Sequence, residues 1–361
     1  MVRIPLVDVK AQYAPLIPEI LDRFHAVLES GEFILGPNVV SFEEEAARYL
    51  GVDTTIGVAN GTDALVLVLD ALGVGAGDEV ICPSFTFYAT PESIARCGAT
   101  PVFADIDAST MNLDPADVAD RITPRTKAII AVHLFGRPAP LPELASFGVP
   151  LIEDAAQAFG SPPIAKTGVG STFSFYPTKN LFGLGDGGLV AVTDEELGKR
   201  IRLLRFHGSR DKIDFQLIGY NSRLDELQAA ALRIFLRHLD GWTRLRREAA
   251  SRYAQLGLGE LCELPPDEPG HVYHLYVCRS PDRDRVRVAL RDAGVGTGVY
   301  YVTPMHLQPA LRYLAWEPGS LPETERVAAE NFSVPLWAGI DARTQERVVD
   351  VVRSSAAVAA G

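Results

Sequence analysis

The sequence predicts an α/β protein: a large domain with a mainly parallel seven-stranded sheet flanked by helices, followed by a smaller α+β domain. Three observations support this prediction. Short apolar runs alternate with helical patterns between residues 55 and 193, which is typical of βαβ units. A long helical stretch after residue 221, with mixed patterns beyond it, indicates a second unit. The 361 residues suffice for two unequal domains, which we expect at residues 1–237 and 238–361.

Seven apolar runs are predicted as the strands of the large sheet: residues 55–59, 79–82, 101–104, 128–133, 150–153, 172–176 and 189–193. Leu65, Val68 and Leu72 recur at helical spacing within residues 62–73, so a helix should connect the first two strands. Asp114 followed by Pro115 indicates another helix start, because aspartate can cap a helix and proline fits its first position.

Beyond the sheet, the predicted long helix opens at Ser222 and runs towards Tyr253, with an interruption near Gly241. Asp225, three residues after Ser222, approximates a capping box. The small domain is predicted from one helical pattern and two apolar runs, at residues 283–293, 272–278 and 295–302 respectively.

The composition narrows the possible functions. A formal net charge of -12 counts against nucleic acid or an anionic membrane as a partner, because both repel an acidic protein. No apolar run reaches the ~18 residues of a membrane span, and residues 1–11 lack the apolar core of a signal peptide, so we expect a cytoplasmic protein. The cysteines show neither a CxxC pair nor histidines at ligand spacing, so no metal site is expected: Cys82, Cys97, Cys262 and Cys278.

The first candidate site is Asn60-Gly61-Thr62, where the first strand leads into a helix. Glycine lets the backbone approach a ligand, and the free N–H groups at a helix start suit an anion such as phosphate. A tight turn without any ligand explains the segment equally well. Neither GxGxxG nor GxxxxGK[ST] is present, which counts against a dinucleotide-binding or P-loop protein.

The second and third candidates lie at later strand ends. Asp154 follows an apolar strand at the edge where open α/β sheets bind ligands, and it could hold a protonated ring nitrogen or simply cap a helix. Lys179 follows an aromatic strand and precedes a glycine-rich turn. Partial desolvation would lower its pKa and free its amine for a Schiff base, although a lysine in a loop is usually solvated.

Together the three candidates meet the needs of one cofactor. Pyridoxal 5'-phosphate requires an anion cradle, a carboxylate that keeps its ring nitrogen protonated, and an amine for its aldehyde. Six segments resemble the DegT-type nucleotide-sugar aminotransferases, which are fold-type I pyridoxal phosphate enzymes: GVANGTDAL (57–65), CPSFTFYAT (82–90), LIEDAAQAFG (151–160), FSFYPTKN (173–180), GDGG (185–188) and GYNSRLDELQAA (219–230). The resemblance extends over residues 7–339.

The resemblance implies roles for the matched residues. Lys179 would form the Schiff base and later act as the base for the proton shift. Asp154 would pair with the pyridinium nitrogen, and Gln157 would lie near the ring hydroxyl. Phe87 would stack on the ring. The phosphate would be held by three residues of one chain and one residue of its neighbour, which makes a homodimer with shared sites: Gly61, Thr62 and Ser174, and the neighbour's Asn221.

Two further residues are expected near the substrates. His306 matches a family position close to the sugar, although a hydrogen-bonded structural histidine fits the pattern too. Arg223 could bind a carboxylate of the amino donor or of the sugar substrate, or it could form an ion pair at the head of the helix.

The resemblance implies an aminotransferase that moves an amino group from L-glutamate to a nucleotide-linked keto-hexose. The opening SGEFILGP (30–37) is more similar to the branch acting on 3-keto sugars than to the 4-keto branch. Three alternatives remain: a sugar 3-dehydratase, a non-catalytic regulator and a Rossmann oxidoreductase. Lys179 argues against the dehydratase, in which histidine replaces the Schiff-base lysine, and the missing glycine fingerprint argues against the oxidoreductase.

Overall fold

The computed structural model describes residues 3–357. Nine strands are formed: β1 Thr54–Val58, β2 Glu79–Pro83, β3 Thr100–Ala104, β4 Thr126–Val132, β5 Leu151–Asp154, β6 Gly170–Ser174, β7 Gly188–Val192, β8 Tyr276–Arg279 and β9 Asn331–Val334. The α-helices of the described residues are α1 Val9–Tyr13, α2 Ile17–Ser30, α3 Pro37–Leu50, α4 Gly61–Ala71, α5 Ala89–Arg96, α6 Pro115–Arg121, α7 Leu141–Ala145, α8 Glu195–Leu204, α9 Glu226–Leu236, α10 Leu239–Gln255, α11 Arg283–Asp292, α12 Pro322–Glu330 and α13 Ala342–Ala357.

The predicted seven-stranded, mainly parallel sheet is confirmed. Its strand order is β1-β7-β6-β5-β4-β2-β3. β7 runs antiparallel to both of its neighbours, β1 and β6, and the other neighbouring pairs are parallel. As a result, every strand of this sheet except β7 ends at the same edge. The strands are almost entirely buried, because helices cover both faces.

The C-terminal part contains a two-stranded antiparallel sheet of β8 and β9. α10, α11 and α13 contribute to the hydrophobic cluster around this sheet. The predicted apolar run 295–302 is not a strand; it makes only single bridges, through Val295 to Ile4 and through Gly298 to Ser333. The domain boundary at residues 237 and 238 stays a prediction, because Leu275 and other C-terminal residues also pack into the core of the large sheet.

The predicted long helix after residue 221 is two helices, and the capping-box prediction is wrong. Asp225, not Ser222, is the N-cap of α9, and its side chain accepts a hydrogen bond from Gln228 N at 2.9 Å. The hydroxyl of Ser222 instead accepts from Ala59 N at 3.1 Å, which ties this segment to the end of β1. The break lies between α9 and α10, and Gly241 lies inside α10.

The helices of the described residues include none that is both long and apolar enough to cross a membrane. Within residues 3–357 there is also no cluster of three or more His, Cys, Asp or Glu side chains arranged as metal ligands.

Candidate active site

Most of the predicted cofactor residues come together at the edge where the parallel strands end. In open α/β sheets this edge is where ligands bind. The turns after four strands supply the residues: Gly61 and Thr62 after β1, Phe87 after β2, Asp154 and Gln157 at the end of β5, and Ser174 and Lys179 at the end of β6.

The turn after β1 forms the predicted anion site. Asn60 caps α4, because its side-chain oxygen accepts a hydrogen bond from Asp63 N at 2.8 Å. The next N–H groups lie at the free start of the helix, where they favour an anion. A Cβ on Gly61 would lie 2.8 Å from the Cβ of Ser174, so only glycine allows this approach. Gly61, Thr62 and Ser174 are thus adjacent.

Asp154 is the last residue of β5 and is buried. Its Oδ2 accepts a hydrogen bond from the Thr90 hydroxyl at 2.9 Å, and its Oδ1 accepts one from Ala156 N at 3.2 Å. Burial raises the pKa of this carboxyl group, while the two hydrogen bonds and the positive charge of Lys179 oppose that shift. A protonated ring nitrogen beside this carboxylate would favour its ionised form.

Lys179 lies after β6 in a loop that is fixed from both sides. Its backbone N–H donates to Tyr176 O at 2.9 Å, and the side chain of the next residue, Asn180, donates to Val272 O at 2.9 Å. Burial lowers the pKa of the lysine to about 8, and the negative charge of Asp154 works in the opposite direction. Within residues 3–357 the Nζ atom has neither a hydrogen bond nor a salt bridge. A large fraction of this amine is therefore neutral near pH 8.

Gln157 has a fixed amide orientation. Its Oε1 accepts a hydrogen bond from Phe135 N at 2.7 Å, so Nε2 is the donor that remains, and it donates to the Tyr301 hydroxyl at 3.2 Å. The Phe87 ring is 58% exposed, and its centroid lies 6.2 Å from that of Tyr301. An aromatic ring exposed at a sheet edge is a surface on which a planar ligand can stack.

Asn221 is placed differently from the other predicted residues. It is exposed in the single chain, beside a loop with three exposed apolar side chains: Ile213, Phe215 and Ile218. The residue after it, Ser222, is held against the end of β1. Asn221 is thus at the surface of the single chain, and its contact with a phosphate stays a prediction.

The two residues expected near the substrates have separate surroundings. His306 is buried: its Nδ1 lies 2.6 Å from Ser84 Oγ, and its Nε2 lies 3.2 Å from Glu325 Oε1. Because both ring nitrogens contact protein groups, the geometry favours the structural alternative over a contact with the sugar. Arg223 has its guanidinium 5.8 Å from the centroid of the Phe206 ring and makes no salt bridge within the described chain. The alternative of an ion pair at the helix head is thus not formed within the described residues, and the carboxylate contact stays a prediction.

The residues present fit pyridoxal phosphate. The helix start with its close-packed glycine matches the phosphate. The buried carboxylate matches the ring nitrogen, and the unpaired lysine of lowered pKa matches the aldehyde. Sequence reasoning missed two contributors, Thr90 and Tyr301. Thr90 lies inside the quoted segment CPSFTFYAT, but only the fold shows that its hydroxyl reaches a strand 64 residues away in the chain.

Comparison with known proteins shows which family this chain resembles along nearly its whole length. Residues 16–353 match the sequence profile described as the DegT/DnrJ/EryC1/StrS aminotransferase family. The chain is 44% identical to a "Pleiotropic regulatory protein" of Geobacillus stearothermophilus, over 97% of each chain. It is 42% identical to the dTDP-3-amino-3,4,6-trideoxy-alpha-D-glucose transaminase of Streptomyces venezuelae, over 97% of this chain and 96% of that protein. The crystal structure of S. venezuelae DesV in complex with a ketimine intermediate is similar with a TM-score of 0.95 and 42% identity, over 98% of each chain.

Proposed function

The chain belongs to the DegT/DnrJ/EryC1/StrS aminotransferase family and is a pyridoxal-phosphate-dependent aminotransferase; from that premise we propose that it moves an amino group from L-glutamate to a nucleotide-linked keto-hexose. The proposed position of transfer is carbon 3. Two facts support it: the relative from S. venezuelae is named for an amino group at this carbon, and the segment at residues 30–37 resembles the 3-keto branch. We place the reaction in the cytoplasm, as the sequence predicts.

The observation that carries the proposal is the proximity of Lys179 and Asp154 at one sheet edge, where the charge of each group shifts the pKa of the other. When bound, the cofactor supplies an electron-withdrawing ring that stabilises negative charge beside the transferred amino group. The Asp154 carboxylate would keep a proton on the ring nitrogen. Lys179 Nζ would hold the cofactor through its aldehyde and, once displaced by the amino substrate, would accept and return a proton as a free amine; a pKa of about 8 suits both tasks.

A regulatory function is the second candidate, because the Geobacillus relative carries the name of a regulatory protein. The site favours catalysis. A regulator needs neither an unpaired lysine of lowered pKa nor a buried carboxylate beside it, and burial of the carboxylate is costly unless it is paired. Turnover of a sugar substrate distinguishes the two candidates.

A homodimer with shared sites is also part of the proposal. Ile213 and Ile218 are 84% and 97% exposed, and they lie in the loop that precedes the predicted inter-subunit ligand Asn221. Three side chains of α2 are also exposed apolar residues: Ile17, Leu21 and Leu28. Groups of exposed apolar side chains are typical of protein interfaces, and a second copy of this chain would cover them.

The proposed substrate is tested with matched nucleotide-linked amino sugars, run in the reverse direction against the holoenzyme. The set pairs 3-amino and 4-amino forms of the same hexose on dTDP, UDP and GDP. We expect only 3-amino sugars to convert the cofactor absorbance to that of the pyridoxamine form, and 2-oxoglutarate to restore it. A response to 4-amino sugars alone would refute the carbon-3 assignment. If no sugar responds although the cofactor is bound, the sugar substrate itself is wrong and the regulatory candidate gains.

A further inference from the structure

A chain of buried hydroxyl groups ends on the Asp154 carboxylate. The Thr90 hydroxyl donates to Asp154 Oδ2 at 2.9 Å, and Thr86 Oγ1 lies 3.1 Å from Thr90 Oγ1. Both threonines are buried. Bulk water does not compete with hydrogen bonds at such positions. These hydroxyl groups therefore take the place of water as hydrogen-bond donors to Asp154 Oδ2.

The direction of each hydrogen bond between these hydroxyl groups follows from the number of protons that they carry. An ionised carboxylate only accepts hydrogen bonds, so the single hydroxyl proton of Thr90 points to Asp154. Thr86 must then donate its own proton to Thr90 Oγ1. The other carboxylate oxygen is engaged as well, because Ala156 N donates to Oδ1 at 3.2 Å. Both oxygens are thereby fixed by protein donors, and each retains a lone pair for a further partner.

Thr90 lies in the first turn of α5, three residues after Phe87. Its backbone N–H donates to the carbonyl of Phe87 at 3.2 Å. One short segment therefore carries both the exposed ring proposed to stack on the cofactor and the hydroxyl that reaches Asp154. This arrangement couples the position of the ring to the position of the carboxylate.

We propose that Thr90 is a positioning residue that holds the Asp154 carboxylate in one orientation and in its ionised form for the ring nitrogen of the cofactor. The inference rests on the proposed role of Asp154. It has a physical basis independent of any cofactor: burial raises the pKa of Asp154, and the hydrogen bond from Thr90 is the foremost influence opposing that rise.

The experiment replaces the hydroxyl at constant side-chain shape. Thr90→Val removes the donor, and Thr90→Ser keeps it. Thr172→Val is the matched control, because Thr172 is a buried threonine of the neighbouring strand β6 whose hydroxyl donates to Glu153 O and does not touch the Asp154 carboxylate. Apoproteins are titrated with pyridoxal phosphate labelled with 15N in its ring. Dissociation constants and the 15N chemical shift of the bound ring are measured.

We expect Thr90→Val to weaken cofactor binding about tenfold, the loss of one hydrogen bond to a charged group. Its 15N resonance should move towards that of the unprotonated ring. Without the hydrogen bond from Thr90 the pKa of Asp154 rises, so the proton between the carboxylate and the ring nitrogen lies more on the carboxylate. Thr90→Ser and Thr172→Val should resemble the wild type. A merely structural role would leave the 15N shift unchanged, and a Thr90→Val shift equal to that of Thr172→Val would overturn the proposal.

Two further variants keep the result interpretable. If Thr90→Val does not fold, Thr86→Val removes only the outer hydroxyl and should move the 15N resonance in the same direction by a smaller amount; no movement would count against the proposal. Asp154→Asn tests the premise separately. If it leaves the 15N shift and the dissociation constant unchanged, the role of Asp154 fails. If it alters both, Thr90→Val should add little in the Asp154→Asn background, and an additive effect would show that Thr90 acts elsewhere.

Discussion

At Lys179, burial and charge act in opposite directions on the ammonium group. Burial lowers its pKa to about 8, and the carboxylate of Asp154 limits the fall. The amine reacts with an aldehyde only when it is neutral, so the rate at which pyridoxal phosphate reacts with the apoprotein should rise with pH and level off above about 8. Asp154→Asn removes the opposing charge and should move this profile to lower pH. Stopped-flow absorbance measures the rate, and a profile that still rises near the ordinary lysine pKa would contradict the account.

Asp154→Asn also tests the carboxylate in the reaction itself. The substitution is nearly isosteric, but an amide does not keep the ring nitrogen protonated. The cofactor should still bind through Lys179, whereas amino transfer should slow by two or more orders of magnitude (roughly 3 kcal/mol or more in the barrier). Single-turnover spectroscopy separates the two effects. Transfer at the wild-type rate would exclude the proposed role of Asp154.

The turn from β1 into α4 depends on close backbone approach. Gly61→Ala would place a Cβ 2.8 Å from the Cβ of Ser174, which would force the turn away from that residue. We expect about tenfold weaker cofactor binding, since overpacking of this kind costs about 1–3 kcal/mol. Gly241→Ala is the matched control, because Gly241 lies inside α10 with open space around it. That variant should bind cofactor normally and gain about 0.5–1 kcal/mol in unfolding free energy. Equal cofactor affinities for the two variants would refute the phosphate turn.

The elements were predictable where local pattern decides them. Apolar runs located all seven strands of the large sheet, and the Asp114-Pro115 pair located the start of α6. The local sequence pattern gave a wrong prediction where a side chain could either cap a helix or bond to a distant part of the backbone. Ser222 resembles a helix cap, but its hydroxyl bonds to Ala59 N, and Asp225 caps the helix instead. The run 295–302 is apolar, but it makes only isolated bridges and forms no ladder.

At the site, residues within local motifs could be predicted, and contacts between distant segments could not. Gly61, Asp154 and Lys179 each stand at a strand end, where topology alone brings them to one edge. The hydroxyl of Thr90 and the neighbours of His306 depend on how α5 and the 301–307 segment pack against that edge. Such contacts join residues far apart in the chain, and no periodic pattern records them.

At the scale of the whole molecule, the proposed homodimer needs residues of two chains for each active site. Lys179→Ala and an Asn221→Ala variant should each be inactive as homodimers. If Asn221 serves the neighbour's cofactor, one site of a mixed dimer collects both substitutions and the other collects none. Mixing the two proteins under conditions of subunit exchange should therefore restore one working site in every mixed dimer. Mass spectrometry of the dimers verifies the exchange. No recovery despite exchange would mean that Asn221 serves its own chain.

The claim that Lys179 carries the cofactor is tested most directly by chemical trapping. Borohydride reduction of the holoenzyme fixes pyridoxal phosphate to the lysine that holds it, and peptide mass mapping then identifies that lysine. The chain contains six lysines, so the result is unambiguous: Lys10, Lys127, Lys166, Lys179, Lys199 and Lys212. The account predicts one label per chain, on the peptide containing Lys179, and no label in Lys179→Ala. A label on any of the other five lysines, or stoichiometric labelling that persists in Lys179→Ala, would contradict it.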